Sequence, residues 1–411
     1  MTDVLDVVVV GGGIAGASLA SALAGDGLGV VVLEGTTEYE DRVRGESMQA
    51  WGVKEARDLG VEDAMLGAGA HISPLWRQYT GTEAEPADIP TGMMVEGIPG
   101  TLNLRHPVAC QSLIDAAAAA GAEVVRGARD VKLANSASPT VSYAVNDTTH
   151  ELRASLVVGA DGRASTVRKQ AGITLERQPP ISHIAGLLVD GLDDVPDDHD
   201  VLAAAGDLFF VMFHQGGGRA RVYLVPGESG RRRFSGHAGT EHFLAACRQA
   251  KASYPWAEQV AAGTPAGPCA TYPGDDTWTG EPYTDGVVLI GDAAGHNDPI
   301  IGQGLSIAMR DARIVRDLVL DGARDATGFA PYGEERVKRM ERLRFIADVL
   351  AVTQAEDADN LAARRAFVAG KMAAMDPEIF GLLIGAFAGP ESVPDELVDP
   401  TLLDRIRAAT G

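Results

Sequence analysis

Gly11, Gly13 and Gly16 stand at GxGxxG spacing in "DVVVVGGGIAGASLASALAGDGLGVVVLE", a stretch that closes on Glu34. That pattern suits the pyrophosphate of a dinucleotide. Gly11 permits a tight turn, Gly13 lets a phosphate come against the backbone, and Gly16 lets a helix pack close on a strand. Ala15 lies inside the same cradle. Glu34, about 20 residues past the first glycine, is placed to accept from a ribose hydroxyl, which favours FAD or NAD over NADP. Further along, "VVGADGRAST" carries Asp161 and Gly162, and "VVLIGDAAGHNDPIIGQGLSIAMRDA" carries Asp292. A carboxylate at a strand's C-terminal end can accept from several hydroxyls. The plainer alternatives are a β-turn for Asp161-Gly162 and a helix N-cap for Asp292.

These residues need elements to hold them. Val7 to Val10 and the run ending on Glu34 are continuous apolar stretches, as expected of parallel strands buried on both faces, and the small-residue segment between them, ending near Gly25, is a helix. Together they form a βαβ unit. A second strand-turn-helix begins at Ala154, and a third strand ends on Gly291-Asp292. After it, "HNDPIIGQGLSIAMRDA" sets a proline and two glycines, Gly302 and Gly304, at a helix entrance. From Leu305 the spacing Leu305, Ala308, Met309, Ala312, Val315, Val319 marks a buried face, with Arg310, Asp311 and Arg313 on the wet one.

Composition narrows the function classes. With 411 residues, 45% hydrophobic and 22% charged, the chain is globular and large enough for more than one core. A net charge of −22 repels phosphate backbones and anionic lipid, so neither nucleic acid nor a membrane is an expected partner. No stretch approaches the roughly 20 apolar residues of a membrane span. The N-terminal segment is acidic where a secretory signal needs basic residues, so a cytoplasmic location is expected. The 3 cysteines have no CxxC pairing, and the 9 histidines lack ligand spacing, so no metal is expected.

The three motifs in this order resemble the p-hydroxybenzoate hydroxylase family of single-component FAD-dependent aromatic hydroxylases, over roughly residues 4 to 345. The resemblance implies an α/β fold with a Rossmann-like, glutathione-reductase-type FAD-binding domain (residues 1–72, 105–175 and 276–345). An inserted antiparallel sheet (73–104 and 176–275) would bind substrate, and 346–411 would form a C-terminal helical region. It implies Asp292 on the ribityl and ribose hydroxyls of a non-covalent FAD, and Asp161 with Gly162 near both FAD and the reductant. Arg44 matches an arginine near the pyrophosphate or the mobile ring. Arg105 lies near the family's arginine at a helix start, although helical spacing to Leu113 puts His106 at that place, and Gln111 is a neighbouring candidate. Val131 would offer backbone groups to the adenine.

The resemblance also answers why a helix entrance carries so much backbone freedom. It places that entrance at the pyrimidine side of the flavin, where the helix dipole and free N–H groups stabilise negative charge. Gly302 and Gly304 would let the backbone approach the ring, and Pro299 would fix the loop. Pro299, Gly302, Gly304 and Arg44 are therefore the residues expected nearest the reaction. The runs "DLFFVMFHQ" and "RARVYLVPG" read as antiparallel strands with one buried face, which makes Phe210, Met212, His214, Arg221 and Tyr223 candidate pocket residues.

The implied activity is a monooxygenase with NAD(P)H as transient co-substrate and O₂ as oxidant. It would act through a flavin C4a-hydroperoxide on a small organic, aromatic or polyketide-like substrate, as a monomer or homodimer. Alternatives on the same fold are an isoprenoid-reductase-like enzyme and, from another class, a binding module of the Rab-escort type without redox chemistry. No second GxGxxG is present, so NAD(P)H is expected to bind outside any Rossmann unit.

Overall fold

The computed structural model describes residues 4–43, 45–80, 85–134 and 136–410. Strand β1 (Leu5–Val10) passes through the glycine turn into α1 (Ile14–Gly25) and on to β2 (Val30–Glu34). Two glycines make that passage possible. Gly11 has φ +103°, and a Cβ there would lie 2.3 Å from the Ala160 carbonyl oxygen; a Cβ on Gly16 would lie 2.0 Å from the Gly11 carbonyl oxygen. Neither contact tolerates any larger residue.

The chain then forms α2 (Ala50–Asp58), β3 (Trp76–Gln78), β4 (Ala87–Ile89), α3 (His106–Ala119), β5 (Glu123–Arg126), β6 (Thr148–Gly159) and the short α4 (Thr166–Gln170). Strands β6, β1, β2 and β5 lie side by side in parallel, with Val8 opposite Val157 on one side and Val31 on the other. Valines on both faces suit this sheet, which is covered above and below.

A second sheet follows: β7 (Glu176–Asp190), β8 (Asp200–Ala205), β9 (Leu208–His214), β10 (Arg219–Val225), then α5 (Gly239–Cys247), α6 (Ala257–Ala262) and β11 (Ala270–Trp278). Its order is β7, β10, β9, β8, β3, β4, with β11 also on β7, and all pairs are antiparallel except β8 with β3. The sequence pattern suggests one buried face here, but both are buried. Leu208, Phe210 and Met212 of β9 pack in the cluster that includes Phe243 and Val260 of α5 and α6. Phe209, Val211 and Phe213 pack in the cluster of the C-terminal helices.

The last part is β12 (Val287–Leu289), which joins the first sheet beside β6, then α7 (Gly304–Leu320), α8 (Ala326–Gln354), α9 (Leu361–Ala373) and α10 (Pro377–Ala388). Helix α8 runs unbroken across residue 345. It also corrects the expected wet face of α7. Asp311 is fully buried and accepts from Arg339 Nη2 at 2.6 Å and Arg336 Nε at 3.1 Å, both on α8. Arg310 and Arg313 both pair with Glu55 of α2. The polar face of α7 is therefore an ion-paired seam between helices. No helix of the described residues is long and apolar enough to cross a membrane.

Candidate functional site

The two sheets and the C-terminal helices enclose a continuous cavity of about 830 Å³. Gly11, Gly13, Ala15 and Glu34 line it from the first βαβ unit, Val131, Asp161 and Gly162 from the flank, and Asp292 from the end of β12. Pro299, Gly302 and Gly304 line it at the α7 entrance. Gly16 serves the packing of α1 on β1 and stands behind the wall. Arg44 lies outside the described residues.

The dinucleotide end has a defined geometry. Glu34 accepts from the Gly12 amide at 2.7 Å and from Thr36 N and Oγ1 at 2.8 and 2.9 Å, which fixes its carboxylate at the tip of β2. The Tyr39 hydroxyl donates to the Gly12 carbonyl at 2.5 Å. Helix α1 begins at Gly13 without a side-chain cap, and a Cβ on Gly13 would meet nothing within 4 Å. The first-turn N–H groups of α1 thus open on free space, the arrangement an anionic phosphate needs.

Asp161 behaves differently. Its carboxylate accepts from Ser165 Oγ at 2.5 Å and from Thr166 N at 2.6 Å, so it caps α4. Asp292 meets Arg163 Nε at 3.2 Å. The turn that carries Asp292 is clamped from behind: Gly291 N donates to Asp311 at 2.9 Å, and Arg336 Nη2 donates to the Gly295 carbonyl at 2.8 Å. The buried ion pairs of α7 and α8 therefore position a cavity carboxylate.

At the α7 entrance, Asp298 accepts from Ile300 N at 2.9 Å, Pro299–Ile301 makes one 3₁₀ turn, and Gly302 takes φ +61°. Helix α7 starts at Gly304 with no side-chain cap, so its first N–H groups also face the cavity side. Behind this loop, burial and the neighbouring Asp276, Asp348 and Asp275 carboxylates push the Asp298 carboxyl up to about 7. Asp348 rises to about 6, chiefly by burial.

The strand candidates separate by face. Tyr223 lines the cavity. Phe210 and Met212 do not; they point to the opposite face of β9, while their neighbours Phe209, Val211 and Phe213 line the cavity. Side chains alternate along a strand, so a reading one residue out of step selects the wrong face. His214 is buried at the end of β9, where its amide donates to Asp200 at 3.3 Å. Arg221 is fully buried and holds Glu46 with two bonds of 2.6 and 2.8 Å and Asp41 with one of 2.6 Å. It ties the loop around residues 41–46 to the sheet. Arg105 is the N-cap residue of α3 and lines a separate small hollow, Gln111 bonds Asp115 on the surface, and His106 and Cys110 face the cavity. Burial pushes the Cys110 thiol up to about 12, so it stays protonated and unreactive.

Several cavity residues carry no recognisable sequence signal. Gln303 accepts from Trp51 Nε1 at 2.9 Å and donates to the Ala386 carbonyl at 2.7 Å, so it couples α2, α7 and α10. Gln49 Oε1 and Asn297 Oδ1 are buried on the cavity wall with no hydrogen-bond donor.

The profile of the FAD binding domain family matches residues 4–344. The chain belongs to this family of flavoprotein monooxygenases. The flavoprotein is 30% identical over 372 residues to rifampicin monooxygenase of Streptomyces venezuelae, covering 85% of this chain and 71% of that one. It is 29% identical over 339 residues to digeranylgeranylglycerophospholipid reductase of Methanosarcina acetivorans, covering 76% and 74%. Among solved structures, it is similar to PqsL of Pseudomonas aeruginosa, a probable FAD-dependent monooxygenase, with TM-score 0.72, 23% identity and coverage of 88% and 99%. A flavoprotein/dehydrogenase of Cytophaga hutchinsonii gives TM-score 0.77 at 18% identity, covering 98% and 99%. These two structures establish the fold of the flavoprotein: a parallel FAD-binding sheet, an antiparallel sheet and C-terminal helices.

Proposed function

We propose that this flavoprotein is an NAD(P)H- and O₂-dependent monooxygenase that hydroxylates or epoxidises a small organic substrate. The carrying observation is that one cavity joins a dinucleotide cradle to an apolar chamber. The cradle fits FAD: the space at Gly13 is open, α1 is uncapped, and Gln49 Oε1 and Asn297 Oδ1 have buried acceptor capacity to spare. Glu34 and Asp292 would take ribose and ribityl hydroxyls, the α1 entrance the pyrophosphate, and the Val131 region the adenine. FAD, when bound, supplies the redox chemistry, taking a hydride from NAD(P)H and activating O₂.

The protein's own part is binding, orientation and exclusion of water. The uncapped entrance of α7 stabilises negative charge placed before it. Trp76 packs against Phe213 and Phe387, at ring separations of 5.2 and 5.6 Å, and helps to dry the chamber. No side chain has to act as a covalent nucleophile.

A second reading, an FAD-dependent reductase, is favoured by the similarity to the archaeal reductase. One experiment separates the two. The purified protein is expected to be yellow and to release intact FAD on denaturation, and isotope-labelled O₂ is expected to leave one labelled oxygen in the product. An unlabelled product that forms equally well without oxygen would replace the first reading with the second; a colourless protein that binds no flavin would remove both.

A further inference from the structure

We propose that the end of the chamber remote from the flavin cradle binds the carboxylate head of an elongated, otherwise apolar substrate, with Arg365 as its receptor. The inference rests on the flavin reading only for which end of that molecule reacts.

The chamber has a direction. Phe213, Val211 and Phe209 line it in a row along β9, so the row spans about 13 Å at the usual rise per residue. At the Phe213 end, the cross-strand partner is Arg221, which holds Glu46 and Asp41 in the loop beside the cradle. The Phe209 end leads back to the turn at Gly206 and Asp207. Across from this row, α8 contributes Ile346, Val349, Leu350 and Thr353 at helical spacing, and α9 contributes Arg365, Val368, Ala369 and Met372 at the same spacing. Between the two ends the walls are mainly apolar, with Gln78, Tyr223 and Tyr272 among their polar side chains, which suits a largely hydrocarbon body.

Arg365 closes the remote end. Its Nη1 donates to the Gly206 carbonyl at 2.8 Å, and its Nη2 donates to the carbonyls of Gln354 at 2.7 Å and Asp207 at 3.3 Å. Its Nε is buried and has no acceptor. No described carboxylate forms an ion pair with it; the nearby Asp207 carboxylate is held by Arg233 at 2.7 Å. Burial accordingly pulls the guanidinium pKa down. A partly buried guanidinium fixed by three neutral carbonyls, on a residue that lines the cavity, has one N–H without an acceptor and only the field of the Asp207 carboxylate, itself bound to Arg233, as counter-charge. A carboxylate supplies both; a neutral hydroxyl or carbonyl supplies only the first. Fatty, isoprenoid or polyketide acids are the class that combines such a head with an apolar body.

The test uses the flavin-loaded protein without reductant. Binding of dodecanoate, dodecanol and dodecylamine is measured by calorimetry below their micelle-forming concentrations. Dodecanoate is expected to bind tighter than dodecanol by about tenfold or more, the worth of one charged hydrogen bond, with dodecylamine weakest. Arg365→Gln should abolish the preference while keeping dodecanol affinity, and Arg365→Glu should favour dodecylamine, with melting temperature and flavin content as checks on folding. Val368→Trp, which fills the chamber, should abolish binding of all three while flavin content stays normal. Equal affinity for dodecanoate and dodecanol, a preference that survives Arg365→Gln, or undiminished binding to Val368→Trp would each overturn the proposal. If the arginine variants do not fold, the wild-type ranking and Val368→Trp still decide it. Because neither NAD(P)H nor O₂ is present, a failed oxygen-labelling result leaves this ranking intact, and a failed ranking leaves the labelling result intact.

Discussion

Two buried aspartates beside the α7 helix respond to pH in opposite directions, and the difference is set by their neighbours. Asp311 sits between Arg336 and Arg339, which hold its carboxyl below the usual carboxylate range despite full burial. Its stabilisation is present above the unfolded-state pKa and is lost as the medium becomes strongly acidic. Asp311→Asn should cost about 3 to 5 kcal/mol at neutral pH, because it leaves the buried Arg336 without a described carboxylate partner and Arg339 with Glu335 alone. Urea unfolding checks this; a cost under about 0.5 kcal/mol would mean a surface-like role. Asp298 is the reverse case. Its carboxyl is raised to about 7 by burial and by Asp276, Asp348 and Asp275, so the folded state prefers it protonated. The stability it contributes is complete below the unfolded-state value and is lost as pH rises through about 7. Asp298→Asn keeps an oxygen for the Ile300 amide. It should therefore stabilise by about 1 to 3 kcal/mol at pH near 8 and by much less near pH 5, read from thermal or urea unfolding at both values. An equal gain at both pH values would show that titration of this group is not the cause.

At the scale of elements, the first βαβ unit uses its glycines for two different purposes, and substitution should separate them. Gly16→Ala forces a Cβ to within 2.0 Å of the Gly11 carbonyl, where helix and strand must move apart, so it should lower the melting temperature sharply with or without flavin. Gly13→Ala meets no protein atom within 4 Å and should leave flavin-free stability unchanged to about 1 kcal/mol. It should nonetheless lower flavin content, since the methyl group enters the space kept for the pyrophosphate. Full flavin occupancy in Gly13→Ala would place the phosphates elsewhere. Helix α7 shows the same economy: one face is core, the other is the ion-paired seam with α2 and α8, and its first turn is left open to the cavity.

Across the whole molecule, the net charge of −22 sets a field that opposes any anionic reactant. NAD(P)H is such a reactant, and exposed charges are screened within about 8 Å at physiological ionic strength. On the proposed function, kcat/KM for NADPH should rise severalfold as salt increases from about 10 mM to about 200 mM. A steady fall over that range would instead reveal a local cationic dock strong enough to override the global field. The cavity itself is a whole-molecule product. Its walls come from the first βαβ unit, the second sheet and helices α8 to α10, and Gln303 bonds across 83 residues to Ala386.

The glycine cradle was legible because its requirements are local: a positive φ at Gly11, a close approach at Gly16, and strand, turn, helix and acid within about 30 residues. The parallel sheet implied by unbroken valine runs was readable for the same reason, whereas Asp161 and Asp292 stood out only through the motif order that resembles the hydroxylase family. Tertiary structure alone decided which face of β9 meets the cavity, since alternation defines two faces but cannot rank them when both are covered. It alone turned Asp311 from an expected surface charge into a buried clamp, because that depends on helix α8 arriving across the polar face of α7. Arg221 reads as a strand residue until the fold brings Glu46, 175 positions away, against it. Arg365 gains meaning only where three backbone carbonyls from α8 and the β8–β9 turn surround it. Contacts across such separations leave no periodic trace in the chain, because neither partner's neighbours need differ from those of an ordinary strand or helix.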